Sequence, residues 1–415
     1  MNPKNKVFFE RRQKIIKLAK CGLMVLAFTL VTALFLWPYA VKQKNFLESM
    51  ITQTYFGSSD SAKIDMTKVQ FFSADRKGNP FTVNASKVLE VDTKEGIVRL
   101  DRPNGEMAFE NGVKLYMTSP YALLYQKTEL LVFDKEVKFV SDNGYVAEVS
   151  DVTLNYKLRT AKSAQEVSVR GEKGRLTSEG FYLFDAGDSL NFYGKSHAVI
   201  NGEKERTDIH IRSSKTMELR KKDKSIRAFQ KASIQDDTYK LTADDIKIYF
   251  ETDERGKYQP ARIDAFGDVF LETPTTQLRG KKAFVNFKEG VGILEEKASV
   301  KEGENTLFGE KITAFLKTDT EGKRHLKHVE AEENVHIKTL SDEVFGDKAV
   351  YTVATEQSTI TGNVKIIHNG AQMTGEKATT NMKTGVSTLE GNSSGQNGRI
   401  RGTFFPTILK EEAKK

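Results

Sequence analysis

Four side chains of types that bind metal ions fall close together in the chain: His328, Glu330, Glu332 and His336. All four positions are even, so on a β-strand these side chains would lie along one face. Ligands spaced evenly on one strand cannot close a tetrahedral shell without donors from another segment. The odd positions beside them are mostly apolar, which is typical of a strand with one buried and one solvated face. The pattern therefore favours an ordinary solvated row, and we expect no metal site.

Carboxylate pairs are the other candidates for chemistry, because two acids can divide the roles of general acid and general base. The pairs Asp236-Asp237 and Asp244-Asp245 stand at expected turns or strand starts, where acidic residues are common. No His-Glu-x-x-His helix, phosphate-binding glycine loop or dinucleotide fingerprint accompanies them. The sequence therefore predicts neither an enzyme nor a bound cofactor.

The basic charge of the chain is confined to its N-terminus. The net charge is +8 over 415 residues, but residues 1–20 carry seven Lys or Arg and one Glu. Residues 21–41 are uncharged, so the remainder is almost neutral at +2. A basic arm of this kind does not indicate nucleic-acid binding by the folded part of the protein. Cys21 is the only cysteine, which excludes an intrachain disulfide.

The uncharged segment 21–41 is predicted to be a transmembrane anchor. Its 21 residues would span about 30 Å as a helix, which matches a bilayer core. Trp37 and Tyr39 lie at its far end, where amphipathic rings prefer the headgroup level. The basic arm places the N-terminus in the cytoplasm and the bulk of the chain in the periplasm. A cleavable signal peptide and a lipoprotein box at Cys21 are weaker alternatives, since the apolar run is long and follows the cysteine.

The segment from about Lys63 onward has the alternation of half-buried β-strands. Ile246, Ile248 and Phe250, for example, alternate with more polar residues. The chain has only eight prolines, while 30 glycines punctuate it at short intervals. These features predict an all-β fold of two stacked, twisted sheets after the anchor.

An internal repeat supports this prediction. A short pattern (apolar, any residue, small, two mostly charged, then Ala or Ile) recurs with its small residue at positions 213, 243, 280, 309, 346 and 375. Short and long units alternate, so the true period is about 66 residues, as in stacked repeats that bury their apolar faces against one another. In the strands that follow four copies of the pattern, the larger apolar residues occupy every second position, so their side chains share one face. This predicts a continuous inward lining: Ile246, Ile248, Phe250; Ala283, Val285, Phe287; Ile312, Ala314, Leu316; Ala349, Tyr351, Val353.

Two sets of motifs resemble proteins of the lipopolysaccharide transport (Lpt) bridge. The N-terminal half resembles the LptC family through Gly112-Val-Lys-Leu115, Leu130-Leu-Val-Phe-Asp134, Val137-Lys-Phe139, Asp142-Asn-Gly-Tyr145, Gly171-Glu-Lys-Gly-Arg-Leu176 and Gly180-Phe-Tyr-Leu-Phe184. The C-terminal half resembles the LptA (OstA-like) family through the repeat and the strand starts Gly267-Asp-Val269 and Gly362-Asn-Val364. The implied organisation is a basic arm (1–20), an anchor (21–41), an LptC-like β-jellyroll (42–200), a linker (201–208), an LptA-like β-jellyroll (209–395) and a tail (396–415).

The resemblance implies an elongated open β-jellyroll that receives lipid A acyl chains and takes part in lipopolysaccharide export. It also implies docking on an inner-membrane ABC transporter, and transfer to an outer-membrane translocon or to further LptA-like jellyrolls. Together with the strand parity, it assigns lipid binding to apolar side chains: Phe139, Phe181, Leu183, Phe192, Ile248, Phe250, Val269, Leu271, Val285, Phe287, Val335, Ile337, Tyr351 and Val353. The alternative is a structural or adhesive β-solenoid with a filled interior and no lipid transfer.

Overall fold

The structure is a computed structural model, and it describes the chain from residue 65 to residue 403 with internal gaps. The gaps are residues 75–78, 93, 110–111, 185–187, 202–207, 253–257, 320–323, 369, 382, 385 and 392–399. The basic arm and the predicted anchor at 21–41 lie outside the described residues, as does most of the predicted tail. No helix in the described part is long and apolar enough to cross a membrane. The described residues belong to one compact unit, Lys63–Lys415.

This unit is built from antiparallel strands, as the period-two pattern predicts. The strands are β1 (Asp65–Ala74), β2 (Pro80–Asp92), β3 (Ile97–Asp101), β4 (Asn104–Ala108), β5 (Lys114–Thr118), β6 (Tyr121–Tyr125), β7 (Leu130–Val132), β8 (Val137–Ser141), β9 (Val146–Val149), β10 (Thr153–Asn155), β11 (Thr160–Ser163), β12 (Val167–Gly171), β13 (Gly174–Ser178), β14 (Gly180–Phe184), β15 (Ser189–Tyr193), β16 (Ser196–Ile200), β17 (Ile209–Ser213), β18 (Thr216–Arg220), β19 (Ser225–Gln235), β20 (Lys240–Thr252), β21 (Tyr258–Glu272), β22 (Thr276–Asn286), β23 (Val291–Glu302), β24 (Asn305–Thr318), β25 (Arg324–Lys338), β26 (Asp342–Thr352), β27 (Gln357–His368), β28 (Ala371–Asn381), β29 (Ser387–Glu390) and β30 (Arg401–Thr403). A 3-10 turn, Val353–Thr355, follows β26.

The strands pair along two ladders that share the long strands. Ladder A contains part of β2, then β3, β6, β7, β10, β11, β14, β15, β18 and the first part of β19. Ladder B contains the rest of β2, then β4, β5, β8, β9, β12, β13, β16, β17 and the last part of β19. From β19 to β28 each strand belongs to both ladders, and β29 and β30 end them separately. Side chains of both ladders share one buried cluster. The all-β prediction is confirmed, and the pairing is consistent with a jellyroll.

Each strand pair from β19 to β28 is interrupted by a bulge, at which the strands bend, and this explains the sequence repeat. On β21 and β27 the bend is a bulge of two consecutive residues with positive φ, Gly267-Asp268 and Gly362-Asn363. The residue after each bulge is almost fully buried and lies opposite the small residue of the repeat, as Val364 lies opposite Gly375. A Cβ on Gly375 would approach the backbone oxygen of Glu390 to 2.8 Å. The repeat therefore encodes a sharp bend at which two backbones pass closely.

In the first half of the described chain, serine residues occupy the position that corresponds to the small residue of the repeat. There the bend divides each long strand into two short ones. Ser119, Ser163 and Ser178 are buried at strand ends, and their hydroxyls donate to backbone carbonyl oxygens. The Ser163 hydroxyl, for example, lies 2.7 Å from the carbonyl oxygen of Ser150. A hydroxyl that bonds nearby backbone satisfies groups that an interrupted ladder leaves unpaired. Ser213, the degenerate first copy of the repeat, bonds Phe229 O at 2.6 Å in the same way.

The two predicted jellyroll halves are joined by direct strand pairing. The predicted linker, residues 201–208, connects β16 to β17, and these strands pair along their whole lengths from Ser196 opposite Ser213 to Ile200 opposite Ile209. Ladder B therefore continues from the first half into the second without a break.

Candidate functional site

A continuous row of inward side chains runs along ladder B. Each member lies directly opposite the next, about 4.8 Å away across a strand pair, and all are apolar apart from one glycine. In order they are Val83, Gly105, Met117, Phe139, Ala147, Val169, Leu176, Ala198, Ile211, Ile234, Leu241, Leu271, Leu278, Val300, Leu307, Ile337, Val344, Ile366 and Met373. We call this set row B.

Ladder A contributes a second row to the same inner face. Row A consists of Val98, Leu124, Leu131, Leu154, Ala161, Leu183, Leu190, Leu219, Ile226, Ile248, Ile263, Val285, Gly292, Ala314, Val329 and Tyr351. Beyond Tyr351, the next position in this row is the polar residue Ser358. The two rows make an apolar surface that extends through both halves of the described chain.

This inner face is covered near the bend and open farther from it. On β20, Ile246 and Ile248 are buried, whereas Phe250, two residues farther along the same face, is only half-buried. On β22 no side chain is fully buried, although Ala283 and Val285 pack against the buried cluster. Inward side chains of a closed sandwich would all be covered. The inner face is therefore a groove that is open on the side away from the bend.

Gly292 leaves an unfilled place in row A. A Cβ built on this residue would meet no atom within 4 Å, although its neighbours in the row are Val285 and Ala314. Its φ is also outside the range that requires glycine. The groove thus has room for atoms of a ligand at this position, which a fully packed core would not have.

The groove mouth is bridged in the first half by one turn, residues 156–159, which joins β10 to β11 on ladder A. The Tyr156 ring lies 5.4 Å from the ring of Phe81 on ladder B. Arg159 donates a 2.7 Å hydrogen bond from Nη2 to the Ala108 carbonyl oxygen, and its guanidinium lies 5.2 Å from the Phe109 ring centroid. Asn155 Oδ1 holds the turn by accepting two backbone N–H groups. We call this set of contacts across the mouth the clasp.

The residues assigned to lipid binding from the sequence divide by burial. Fully buried are Phe181, Phe192, Ile248, Val269 and Val335, of which the last two lie at bends. Half-buried on the inner face are Phe139, Leu183, Phe250, Leu271, Val285, Phe287, Ile337 and Tyr351. Val353 is 36% exposed and lies in the 3-10 turn, because β26 ends at Thr352 and the strand parity does not continue. The half-buried group is the one that a ligand in the groove could reach.

Sequence reasoning missed three features of the groove. Most of the first half of row B, such as Met117 and Val169, was not identified because the strands there are short and broken by turns. Gly292 has no motif that separates it from an ordinary turn glycine. Arg159 and Tyr156 lie in a polar turn, and only the fold shows that this turn reaches ladder B.

The row of acids and histidines at 328–336 lies on the outer face, as its parity predicts. Lys348 contacts Glu330 at 2.9 Å and Glu332 at 3.0 Å. The hydrogen bond from Lys348 lowers the pKa of Glu330, despite partial desolvation of the carboxyl group. His336 stacks between Phe308 and Phe345, with ring centroids at 5.4 and 4.3 Å. In the described part of the chain, no group of three or more potential ligands could hold a metal ion.

One further pattern in the sequence bears on catalysis. Gly391-Asn-Ser-Ser-Gly395 has the Gly-x-Ser-x-Gly spacing of a hydrolase nucleophile turn. Such a turn needs a helix after the serine and a partner histidine. Residues 392–399 lie outside the described residues, so this spacing has no structural context here.

Comparison with known proteins gives a family match for one segment of the chain. Residues 210–320 match the family model described as LptA/(LptD N-terminal domain) LPS transport protein. This part of the chain is LptA-like. The segment begins in β17 and ends just after β24, so it contains β19 to β24, the first six of the strands that belong to both ladders. The predicted LptA-like character of the C-terminal half is thereby confirmed, while the resemblance of residues 42–200 to LptC stays a prediction.

A solved structure is similar to part of the chain. LptH of Pseudomonas aeruginosa, described as the LptA homologous periplasmic component of the lipopolysaccharide transport device, matches with 19% sequence identity. The match covers 32% of this chain and 95% of that chain, with a TM-score of 0.27. A TM-score this low does not establish a shared arrangement. Comparison with curated proteins gave no match.

Proposed function

We propose that this protein carries lipopolysaccharide across the periplasm, with the acyl chains in the groove between ladders A and B. The observation that supports this most directly is row B, which has no polar side chain over 19 consecutive strand positions while the groove remains open on one side. An apolar surface of this length would not be left partly exposed unless something covers it. The LptA-like segment, residues 210–320, matches a family of lipopolysaccharide transport proteins, so lipopolysaccharide is the ligand that we assign to this surface. In this proposal the protein binds and passes on lipid and performs no catalysis.

The place of the protein in the transport path is part of the same proposal. Residues 21–41 anchor the chain in the inner membrane with the N-terminus in the cytoplasm, as the charge pattern around that segment indicates. The LptC-like first half receives lipopolysaccharide from an inner-membrane ABC transporter, and the second half passes it towards the outer membrane. Direct pairing of β16 with β17 supports a single path through both halves, because no gap separates the two parts of row B.

Photo-crosslinking from adjacent positions of one strand tests this function. Val285 lies on the inner face and Asn286 on the outer face of β22. A photoreactive residue at 285 should capture lipopolysaccharide in cells with an active transporter, and the same residue at 286 should not. Equal capture from both positions, or none from either in a folded protein, would contradict the proposal. The second result would favour the filled β-solenoid that the sequence left as the alternative.

A further inference from the structure

Four basic side chains lie together on the outer face of ladder B, on the side opposite the groove. Arg175 lies on β13, His197 on β16, and His210 and Arg212 on β17. His197 is directly opposite Arg212, and Arg175 is opposite Val199, which is buried on the same outer face. The Nε2 atom of His197 is 3.1 Å from Nδ1 of His210, and the two rings stack at 5.3 Å. We call these four residues the outer basic cluster.

The positive charge of this cluster is not neutralised within the described part of the chain. Neither Arg175 nor Arg212 forms an ion pair there, while the neighbouring Arg170 is fully engaged by Glu148 at 2.6 and 3.0 Å. Asp208, the acid closest in sequence to His210, already has an interaction of its own. The pKa of His197 is lowered by burial first, and then by the positive charges of Arg212, His210 and Arg175. No carboxylate contributes to that shift.

Such an arrangement costs stability in the absence of a ligand. Like charges directly opposite each other in a sheet are destabilising, and Arg175 lies directly opposite Arg170 on β12. The contact between the two imidazoles also requires one ring nitrogen to accept, so at least one histidine is neutral in the unliganded protein. The residues next in this row are uncharged: Thr177 on β13 lies opposite His197, and Ser233 on β19 lies opposite Arg212. The two arginines would repel a metal ion, so paired imidazoles here do not indicate a metal site.

A tetrahedral oxyanion suits this set of hydrogen-bond donors. Guanidinium groups donate in planar pairs that match phosphate oxygens, and these charge-assisted hydrogen bonds are the strong ones. Imidazolium adds further donors once a bound anion makes protonation favourable. We propose that the outer basic cluster binds a phosphate group, either free phosphate or the phosphate monoester of a lipid headgroup. This site is separate from the groove, and it does not depend on the proposed transport function.

Histidine-selective NMR of the full chain is a direct test, because the protein has only six histidines. The probe is inorganic phosphate, titrated between pH 6 and pH 8 into protein labelled at the imidazole rings. Phosphate should shift the His197 and His210 resonances selectively and raise the pKa of His197, with tighter binding at pH 6. The double variant Arg175→Gln/Arg212→Gln should weaken binding at least about tenfold. Both arginines are exposed, so this variant should stay folded, which circular dichroism can verify.

Arg279→Gln is the matched control. Arg279 lies on the same outer row of ladder B, but stacks 4.4 Å from the Phe270 ring centroid and is remote from the cluster in strand order. This variant should bind phosphate as the unchanged protein does. A second arm uses phosphatidylcholine vesicles with and without phosphatidic acid. A response to the vesicles that contain phosphatidic acid, with none to inorganic phosphate, would identify a lipid headgroup as the source. The proposal fails if neither probe shifts His197, if all six histidines respond alike, or if the double variant and Arg279→Gln bind equally.

Discussion

The Phe81 ring lies 5.4 Å from the Tyr156 ring, although the two residues belong to opposite ladders. Both lie at the mouth of the groove, and beside them Arg159 hydrogen-bonds the Ala108 carbonyl oxygen across the same opening. The burial that accompanies this contact also raises the pKa of Tyr156, with a further contribution from Glu129. The groove is therefore covered in this section by the side chains of one turn, and a ligand must pass beneath that turn or displace it.

Removing the Tyr156 ring should loosen the clasp. Tyr156→Ala loses an aromatic pair and a half-buried side chain, so local opening should become easier by roughly 1–2 kcal/mol. Hydrogen exchange measured by mass spectrometry should then be faster in residues 153–161. Tyr116→Ala is the control, because that exposed ring on β5 lies on the outer face, next to the inward Met117. Equal exchange in both variants would mean that the clasp contributes nothing to closure.

Two glycines should respond in opposite ways to a large side chain. Gly292→Phe should fold normally, because its Cβ meets no atom within 4 Å. Gly346→Phe should unfold or aggregate, because its Cβ would lie 2.5 Å from Ile360 Cγ2 at the bend of β26. Melting temperature and soluble yield distinguish the two outcomes.

Gly292→Phe also has a functional consequence. The added ring would occupy the space in row A that the proposal reserves for an acyl chain, so lipid binding should fall while the fold is retained. Unchanged lipid binding by a stably folded Gly292→Phe protein would show that the ligand does not pass this point.

The sequence determined the fold class well because the repeat records a physical requirement. Each copy places a small residue where two backbones pass at a bend, as at Gly375 opposite Val364. The period-two alternation then identified inward residues such as Val285 and Ile337. Alternation could not separate residues at the bend from residues in the open groove, since Val335 and Ile337 share one parity but differ in burial. That difference depends on distance from the bend, which is a property of the folded sheet.

The clasp and the outer basic cluster were beyond sequence reasoning for another reason. Arg159 and Ala108 are 51 positions apart, and only strand order brings their turns to the same edge of the groove. Arg175 and His197 come together likewise through the pairing of β13 with β16. Val353, in contrast, was assigned to the inner face wrongly. The alternation was extended one residue beyond Thr352, where the strand ends.

The contact between Glu330 and Lys348 should make part of the stability depend on pH. The hydrogen bond from Lys348 lowers the pKa of Glu330 in the folded protein. Stabilisation from this group is therefore present above the unfolded-state pKa of about 4.3 and is lost as the pH falls through the lower folded value. Lys348→Met should reduce the melting temperature at pH 7, and this effect should shrink as the pH falls through the lowered pKa of Glu330. The loss should be modest, about 0.3–1 kcal/mol, because the pair is partly exposed.

Lys377→Met provides the comparison for that variant. Lys377 contacts Glu390 at 3.6 Å with both side chains largely exposed, so its removal should change the melting temperature less at every pH. If both lysine variants show the same pH dependence, Glu330 does not have the role described.

A charge in the groove should block transport more strongly than a charge beside it. Phe287 is half-buried and packs against the core cluster, while Asn286 lies on the other face of the chain. An unpaired carboxylate at 287 would be desolvated at a cost of several kcal/mol and would repel phosphorylated lipid. We expect Phe287→Asp to abolish transport, with Asn286→Asp nearly unaffected and Phe287→Ala folded but weaker in lipid capture. If Phe287→Ala unfolds the protein and leaves lipid capture normal in the folded fraction, Phe287 belongs to the core.

The central claim is that one apolar path runs through both halves, and photo-crosslinking along row B tests it most directly. Photoreactive residues at Val169, Leu278 and Val344 sample the first half, the LptA-like segment and the strands beyond it. Their outward neighbours Ser168, Arg279 and Phe345 serve as paired controls. The account predicts lipopolysaccharide capture at all three inward positions and at none of the outward ones. Capture confined to the LptA-like segment, or equal capture on both faces, would contradict a continuous path.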